Sequence, residues 1–227
     1  MSVARELEQR LAELDGIGRD PATGAVTRLA WTAQDDALGA WFSRRAAAAG
    51  LRVERDPAGN RWAVPEGPPP WWGVGSHLDS VRAGGAFDGP LGVAAAFAVA
   101  QRARAPVAVI SFADEEGARF NTPTFGSRAL AGRLDIAGVL RRPDRDGVTL
   151  GEALRGAGVD PGALATATAW QERLRGFLEL HIDQGTQVAD MGRPFAVARG
   201  LAARARLRCT FGGRADHAGT TAPADRR

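Results

Sequence analysis

The chain holds three histidines, His77, His181 and His217, and each stands in a short stretch dense in Asp, Glu, Gly or Thr. His77 is followed two residues on by Asp79, and Asp88 comes eleven residues after His77, behind Gly84 and Gly85. Asp114, Glu115 and Glu116 set three acids in a row before Gly117. Mixed imidazole and carboxylate donors suit zinc, manganese, cobalt or nickel. A metal-bound histidine gives its second ring N–H to a carboxylate or carbonyl, which fixes the tautomer, and Asp79 stands close enough in sequence to His77 to serve. With Asp88 bridging, such a set suits two ions a few ångströms apart. In a pocket a metal neutralises one of the adjacent acids and leaves another as a general base with a shifted pKa.

Each feature also has a plainer reading. Asp88 could cap the helix that starts at Pro90, the acidic triplet could be a solvated loop, and a single histidine at His181 could be structural. Cys209 reads as a small core side chain. What favours chemistry is where these residues fall among the elements that carry them.

Leu7, Leu11 and Leu14 recur at helical spacing, and a second helix is predicted over residues 34–49, closed by Gly50. Residues 51–55 and 61–64 read as strands around the turn Asp56-Pro57-Ala58-Gly59-Asn60, and the Pro-rich run 65–70 reads as a surface loop. A strand over 71–76, an Ala-rich helix over 90–102 and a buried apolar strand over 106–113 then alternate. That alternation predicts an α/β layer structure. Thr149 and Glu152 form a capping-box pattern, residues 177–182 read as a further strand, and residues 132–170 carry no visible chemistry. His77, the acidic triplet and His181 thus all fall at carboxyl ends of strands, where open α/β sheets place their ligands. They converge if the sheet is parallel there. Further on, Ala205, Leu207, Cys209 and Phe211 alternate with Arg206, Arg208 and Thr210, the period of a strand with one wet face that opens a new antiparallel element.

At 227 residues and 44% hydrophobic the chain can bury a sizeable core. Its net charge is only +3, its basic residues are all arginine, and these are scattered instead of forming one basic block. A nucleic-acid surface therefore has little support. The opening residues MSVARELEQRLAEL mix acids among the apolar positions, unlike a signal peptide or membrane span, so a cytoplasmic location is expected. One cysteine excludes an intramolecular disulfide framework. There is no Gly-rich phosphate loop ending in lysine and no Gly-x-Ser-x-Gly elbow, which argues against nucleotide and serine-hydrolase chemistry.

Four stretches together, residues 75–89, 112–120, 179–185 and 217–221, resemble the hydantoinase/carbamoylase branch of the peptidase M20 metallohydrolases, which contains the N-carbamoyl-L-amino-acid and allantoate amidohydrolases. Residues 15–18, 26–29 and 56–60 match as well. The resemblance implies an M20-type α/β catalytic domain, a mixed central sheet flanked by helices, over residues 1–198. Residues 199–227 would begin an inserted α+β lid and dimerisation domain. It implies two divalent metal ions (Zn, Mn, Co or Ni), with His77 and His181 on one, Asp88 bridging and Glu116 on the second. Glu115 would be the general base, Asp79 would orient His77, and Gln184 and His217 would contact substrate, His217 from the partner of a homodimer. The implied reaction is hydrolysis of the ureido C–N bond of an N-carbamoyl-L-amino acid or allantoate to ammonia and carbon dioxide. An M20 aminopeptidase or deacylase is the enzyme alternative. Relatives carry a further metal-binding histidine near their C-terminus and most of a lid domain, so the chain is expected to be truncated, with a non-catalytic metal-binding remnant as the other reading.

Overall fold

The turn at Asp56–Asn60 joins two short segments, which carry Val53 on one side and Trp62 and Val64 on the other, into an antiparallel hairpin, β1 (Arg52–Arg55) and β2 (Arg61–Val64). The computed structural model describes residues 2–200, 207, 209–210 and 212–226, in two compact units, Met1–Gln184 and Gly185–Arg227.

In the first unit two helices precede that hairpin, α1 (Val3–Ala12), capped by the Ser2 hydroxyl, and α2 (Ala33–Ala48). After it come β3 (Trp71–His77), α3 (Pro90–Ala100) and β4 (Val107–Phe112). Three short helices follow: α4 (Phe125–Leu130), α5 (Ile136–Leu140) and α6 (Leu150–Gly156). The α6 N-terminus carries the expected capping box, with Thr149 and Glu152 each bonded to the other's backbone N–H. A 3₁₀ stretch, Pro161–Arg173, leads into β5 (Leu174–Leu178).

The five strands make one mixed sheet in the order β1-β2-β4-β3-β5. β1 and β2 pair antiparallel with their neighbours, whereas β3 runs parallel to both β4 and β5. The parallel trio is what the sequence needed for its strand ends to converge. Its centre is apolar because it is covered: Val74, Val109 and Val107 pack with Leu38, Trp41, Phe42, Val93 and Phe97 from α2 and α3. Trp62, Trp71, Ala108 and Ile110 form a separate cluster with Leu130. β3 and β4 approach so closely that a Cβ on Gly75 would lie 1.8 Å from the Ile110 carbonyl oxygen. Only glycine fits there.

The stretch 132–170, silent in chemical terms, packs Val139, Leu150, Leu154, Val159 and Leu164 against Trp31, Phe120 and Phe125. It is structural backing for the segment that follows β4. No helix among the described residues is long and apolar enough to cross a membrane.

Three expectations need correction. The strand expected at 177–182 runs instead over Leu174–Leu178, because pairing with β3 ends at Val74↔Leu178 and the chain then leaves the ladder. His181 lies in the irregular segment beyond it. Gly89, not Asp88, is the N-cap of α3, and it makes no side-chain cap bond, so Asp88 is free for another role. Cys209 is exposed and not a core side chain. Much of the strand expected over 205–211 lies outside the described residues. In the second unit the described elements are a single-turn helix, α7 (Gln187–Asp190), and a 3₁₀ turn, Pro223–Asp225.

Candidate metal centre

β3 delivers His77 as its last residue, buried at 1% exposure. Its Nδ1 lies 3.0 Å from the backbone carbonyl oxygen of Asp79 and can donate to it, which leaves Nε2 facing outward as the lone-pair nitrogen. The Asp79 carboxylate is farther from Nδ1, at 3.6 Å. It instead accepts the backbone N–H groups of Glu115 (3.2 Å) and Glu116 (3.0 Å). Asp79 therefore orients the ring through its main chain and holds the acidic loop through its side chain.

Asp88 sits in the bend before α3, where Gly89 takes φ +82°. Its Oδ1 is 3.7 Å from His77 Nε2 and 3.0 Å from His181 Nε2. His181 repeats the His77 arrangement: its Nδ1 is 3.0 Å from the Ile182 carbonyl, and the two rings stack with centroids 6.0 Å apart. Gln184 donates its side-chain amide to Asp88 Oδ2. Glu115 Oε2 lies 3.8 Å from His77 Nε2.

Two groups can each gather a cation. One donor atom from each of His77, Asp88 and His181 lies within 4.8 Å of the others, and the same holds for His77, Glu115 and Glu116. His77 is common to both. The donor chemistry fits a metal, because two imidazole lone pairs and the Asp88 carboxylate point at one another with no hydrogen between them unless a cation supplies the charge. Electrostatics say the same. Burial opposes a charge on His77, but Asp79 and Asp88 beside it, with Glu115, outweigh that and push its pKa up to about 11. The position favours a positive charge, which a proton or a metal ion can supply.

Burial raises the Glu115 pKa; His77 pulls it down, while Asp79, Glu116 and Glu179 push it further up. Burial likewise raises Glu116, with Asp88 and Asp79 adding to it against His77 and His181. Asp88 is lowered, chiefly by its contact with His77. One end of the sheet thus holds carboxyls of different character: Asp88 is shifted down by its contact with His77, and Glu115 is shifted up by burial.

His77, Asp79, Asp88, Glu115, Glu116, His181 and Gln184 are therefore brought together. His217 belongs to the second unit, where its Nδ1 accepts the backbone N–H groups of Gly219 (3.1 Å) and Thr220 (3.2 Å). That fixes Nε2 as its N–H donor.

Two residues of this neighbourhood lie in the matched stretches but had no role assigned from the sequence. Ser76 Oγ donates to Glu179 Oε1 at 2.5 Å, joining the residue before His77 to the segment that carries His181. The signal was present: a serine at the last inward position of an apolar strand needs a partner, and Glu179 stands two residues before His181.

No family model matches the chain. An N-carbamoyl-L-amino acid amidohydrolase of Geobacillus stearothermophilus is 40% identical in an alignment that covers the whole chain and 58% of that protein. An allantoate deiminase of Arabidopsis thaliana is 34% identical over 65% of the chain and 30% of its own length. A crystal structure of a hydantoinase/carbamoylase family amidase from Burkholderia ambifaria superposes with a TM-score of 0.70 at 33% identity, covering 85% of this chain and 48% of that one. The chain spans about half the length of the relatives it matches most fully. By sequence and by fold, it belongs to the hydantoinase/carbamoylase family of amidases.

Proposed function

We propose that this chain carries the metal-binding and catalytic residues of an amidohydrolase. Its reaction is cleavage of the ureido C–N bond of an N-carbamoyl-L-amino acid, with allantoate as the other candidate substrate. The observation that carries the reading is the meeting of His77 Nε2, His181 Nε2 and Asp88 Oδ1 beside Glu115 and Glu116 at the carboxyl end of three parallel strands. The names of the Geobacillus and Arabidopsis relatives support a ureido substrate.

In this reading His77 and His181 would hold one divalent ion, Asp88 would be shared, and Glu116 would hold a second. Zinc, manganese, cobalt and nickel all suit these donors. Such ions, when bound, polarise a carbonyl and acidify a water molecule. Glu115, with its raised pKa, takes the proton of the water that attacks the ureido carbonyl and passes it to the departing nitrogen. Asp79 keeps Glu115 and Glu116 in register with His77, through the two amides it accepts. Gln184, now on Asp88, turns to substrate, and His217 offers its Nε2–H to substrate from the second subunit of a homodimer. Residues 199–227 begin the lid that carries it.

The test is ammonia release from N-carbamoyl-L-amino acids and from allantoate, with the protein loaded in turn with Zn²⁺, Mn²⁺, Co²⁺ or Ni²⁺. Release that stops on chelation supports the reading. No release from either substrate with any of the four metals overturns it.

A further inference from the structure

The motif Asp56-Pro57-Ala58-Gly59-Asn60 lies on the β1–β2 hairpin, outside the ligand set, yet Asp56 and Asn60 are 3% and 0% exposed. The buried amide of Asn60 is fully engaged. Its Oδ1 accepts the backbone N–H of Ala113 at 2.9 Å, and its Nδ2 donates to the Gly126 carbonyl at 3.1 Å. Ala113 and Gly126 are the two ends of the loop that carries Glu115 and Glu116, and they bond to each other through Gly126 N–H and the Ala113 carbonyl at 2.9 Å. Asn60 therefore closes a three-membered ring of hydrogen bonds around the base of the acidic loop.

Asp56 fixes the direction of that amide. Its Oδ2 accepts Asn60 Nδ2 at 2.7 Å and Trp62 Nε1 at 3.1 Å, while its Oδ1 accepts the backbone N–H groups of Ala58 and Asn60. With both Asp56 oxygens accepting, the Asn60 nitrogen must face Asp56 and its oxygen must face Ala113. The fit leaves no slack, since a Cβ on Gly126 would lie 1.9 Å from Asn60 Oδ1.

The loop needs such a clamp. Asp114, Asn121 and Thr124 all take left-handed backbone conformations, with φ of 49°, 51° and 56°, a disfavoured state for non-glycine residues. Local strain of this kind persists only where the surroundings over-determine it.

We propose that Asn60 is a positioning residue of the metal centre: by tying together the two ends of the 113–126 loop, it fixes Glu115 and Glu116 against His77. This rests on the metal reading above. Residues that orient metal ligands without touching the metal cost about 10–100-fold in affinity or activity when changed.

The experiment is a Co²⁺ titration against a competing chelator, with steady-state kinetics and thermal unfolding, on the wild type, Asn60→Ala and Gly126→Ala. Asn60→Ser, which cannot span both partners, replaces Asn60→Ala if that variant does not fold. The expected result is one Co²⁺ equivalent weakened at least about tenfold and kcat lowered by a similar factor, with the other equivalent and KM within about twofold. A lower Tm with both affinities and kcat unchanged overturns the proposal, as does equal weakening of both equivalents, the mark of general loosening. Failure of the wild type to bind Co²⁺ overturns the metal reading itself, and this proposal with it.

Discussion

Gly89 lies against His77 so closely that a Cβ on Gly89 would sit 2.5 Å from the His77 carbonyl oxygen and 2.6 Å from its ring atoms Nδ1 and Cε1. The absence of a side chain at Gly89 lets the chain turn beneath the imidazole and deliver Asp88 to its Nε2. Gly89→Ala should therefore act on the site and not only on stability. The sparsely populated conformation at φ +82° and ψ −55° costs an alanine roughly 1–3 kcal/mol, and relief of the clash must move either Asp88 or the ring. We expect at least about a tenfold loss in metal affinity. Equilibrium dialysis against Zn²⁺ showing wild-type affinity would refute this.

The two neighbouring glutamates should separate in kind. Glu115→Gln is expected to keep its metal complement and lose about 10²–10⁴-fold in kcat, the range for removal of a general base. Glu116→Gln is expected to lose bound metal. Metal analysis paired with ammonia release distinguishes them, and a Glu115→Gln variant with undiminished turnover rules out the assigned base.

The pH behaviour of the metal-free protein follows from His77. Its folded pKa, about 11, stands above the ordinary 6.5, so the proton on the ring favours the fold. That contribution is complete below pH 6.5 and is lost as pH rises through 11. A metal ion at Nε2 must displace this proton, so affinity should rise with pH across the window, by about tenfold per unit for each proton released. Calorimetry at pH 8 in two buffers of different ionisation enthalpy should show at least one proton released per first metal bound; zero protons would contradict the cation site.

Arg119 gives a stability test away from the ligands. Its Nε donates to Asp144 Oδ2 at 2.9 Å, and its Nη1 donates to the carbonyls of Ala30 (3.2 Å) and Trp31 (2.7 Å). Its guanidinium also lies 4.9 Å from the centre of the Phe120 ring. Asp144 keeps the amides of Asp146 and Val148, but the two carbonyls lose their donor in Arg119→Met. A loss of about 2–4 kcal/mol in urea unfolding is expected. A change below about 0.5 kcal/mol, the usual size for a surface position, would show that the cluster contributes little.

The sequence by itself determined the donor types, their order and most of the elements that carry them. The run Val107–Phe112 is apolar but for Ser111 because both its faces are covered, and the Thr149–Glu152 pair marks a helix start from local hydrogen bonding alone. Such features depend on near neighbours, so they are legible one residue at a time. Tertiary structure decided what depends on residues far apart in the chain. Where β5 stops is set by its ladder with β3, about a hundred residues earlier, and so His181 reaches the site from an irregular segment. The Asp79 side chain holds the acidic loop while its main chain orients His77, and Asn60 clamps that loop from a different hairpin, because a buried polar group takes whichever partner the fold brings within about 3 Å. No local pattern in the sequence encodes that choice.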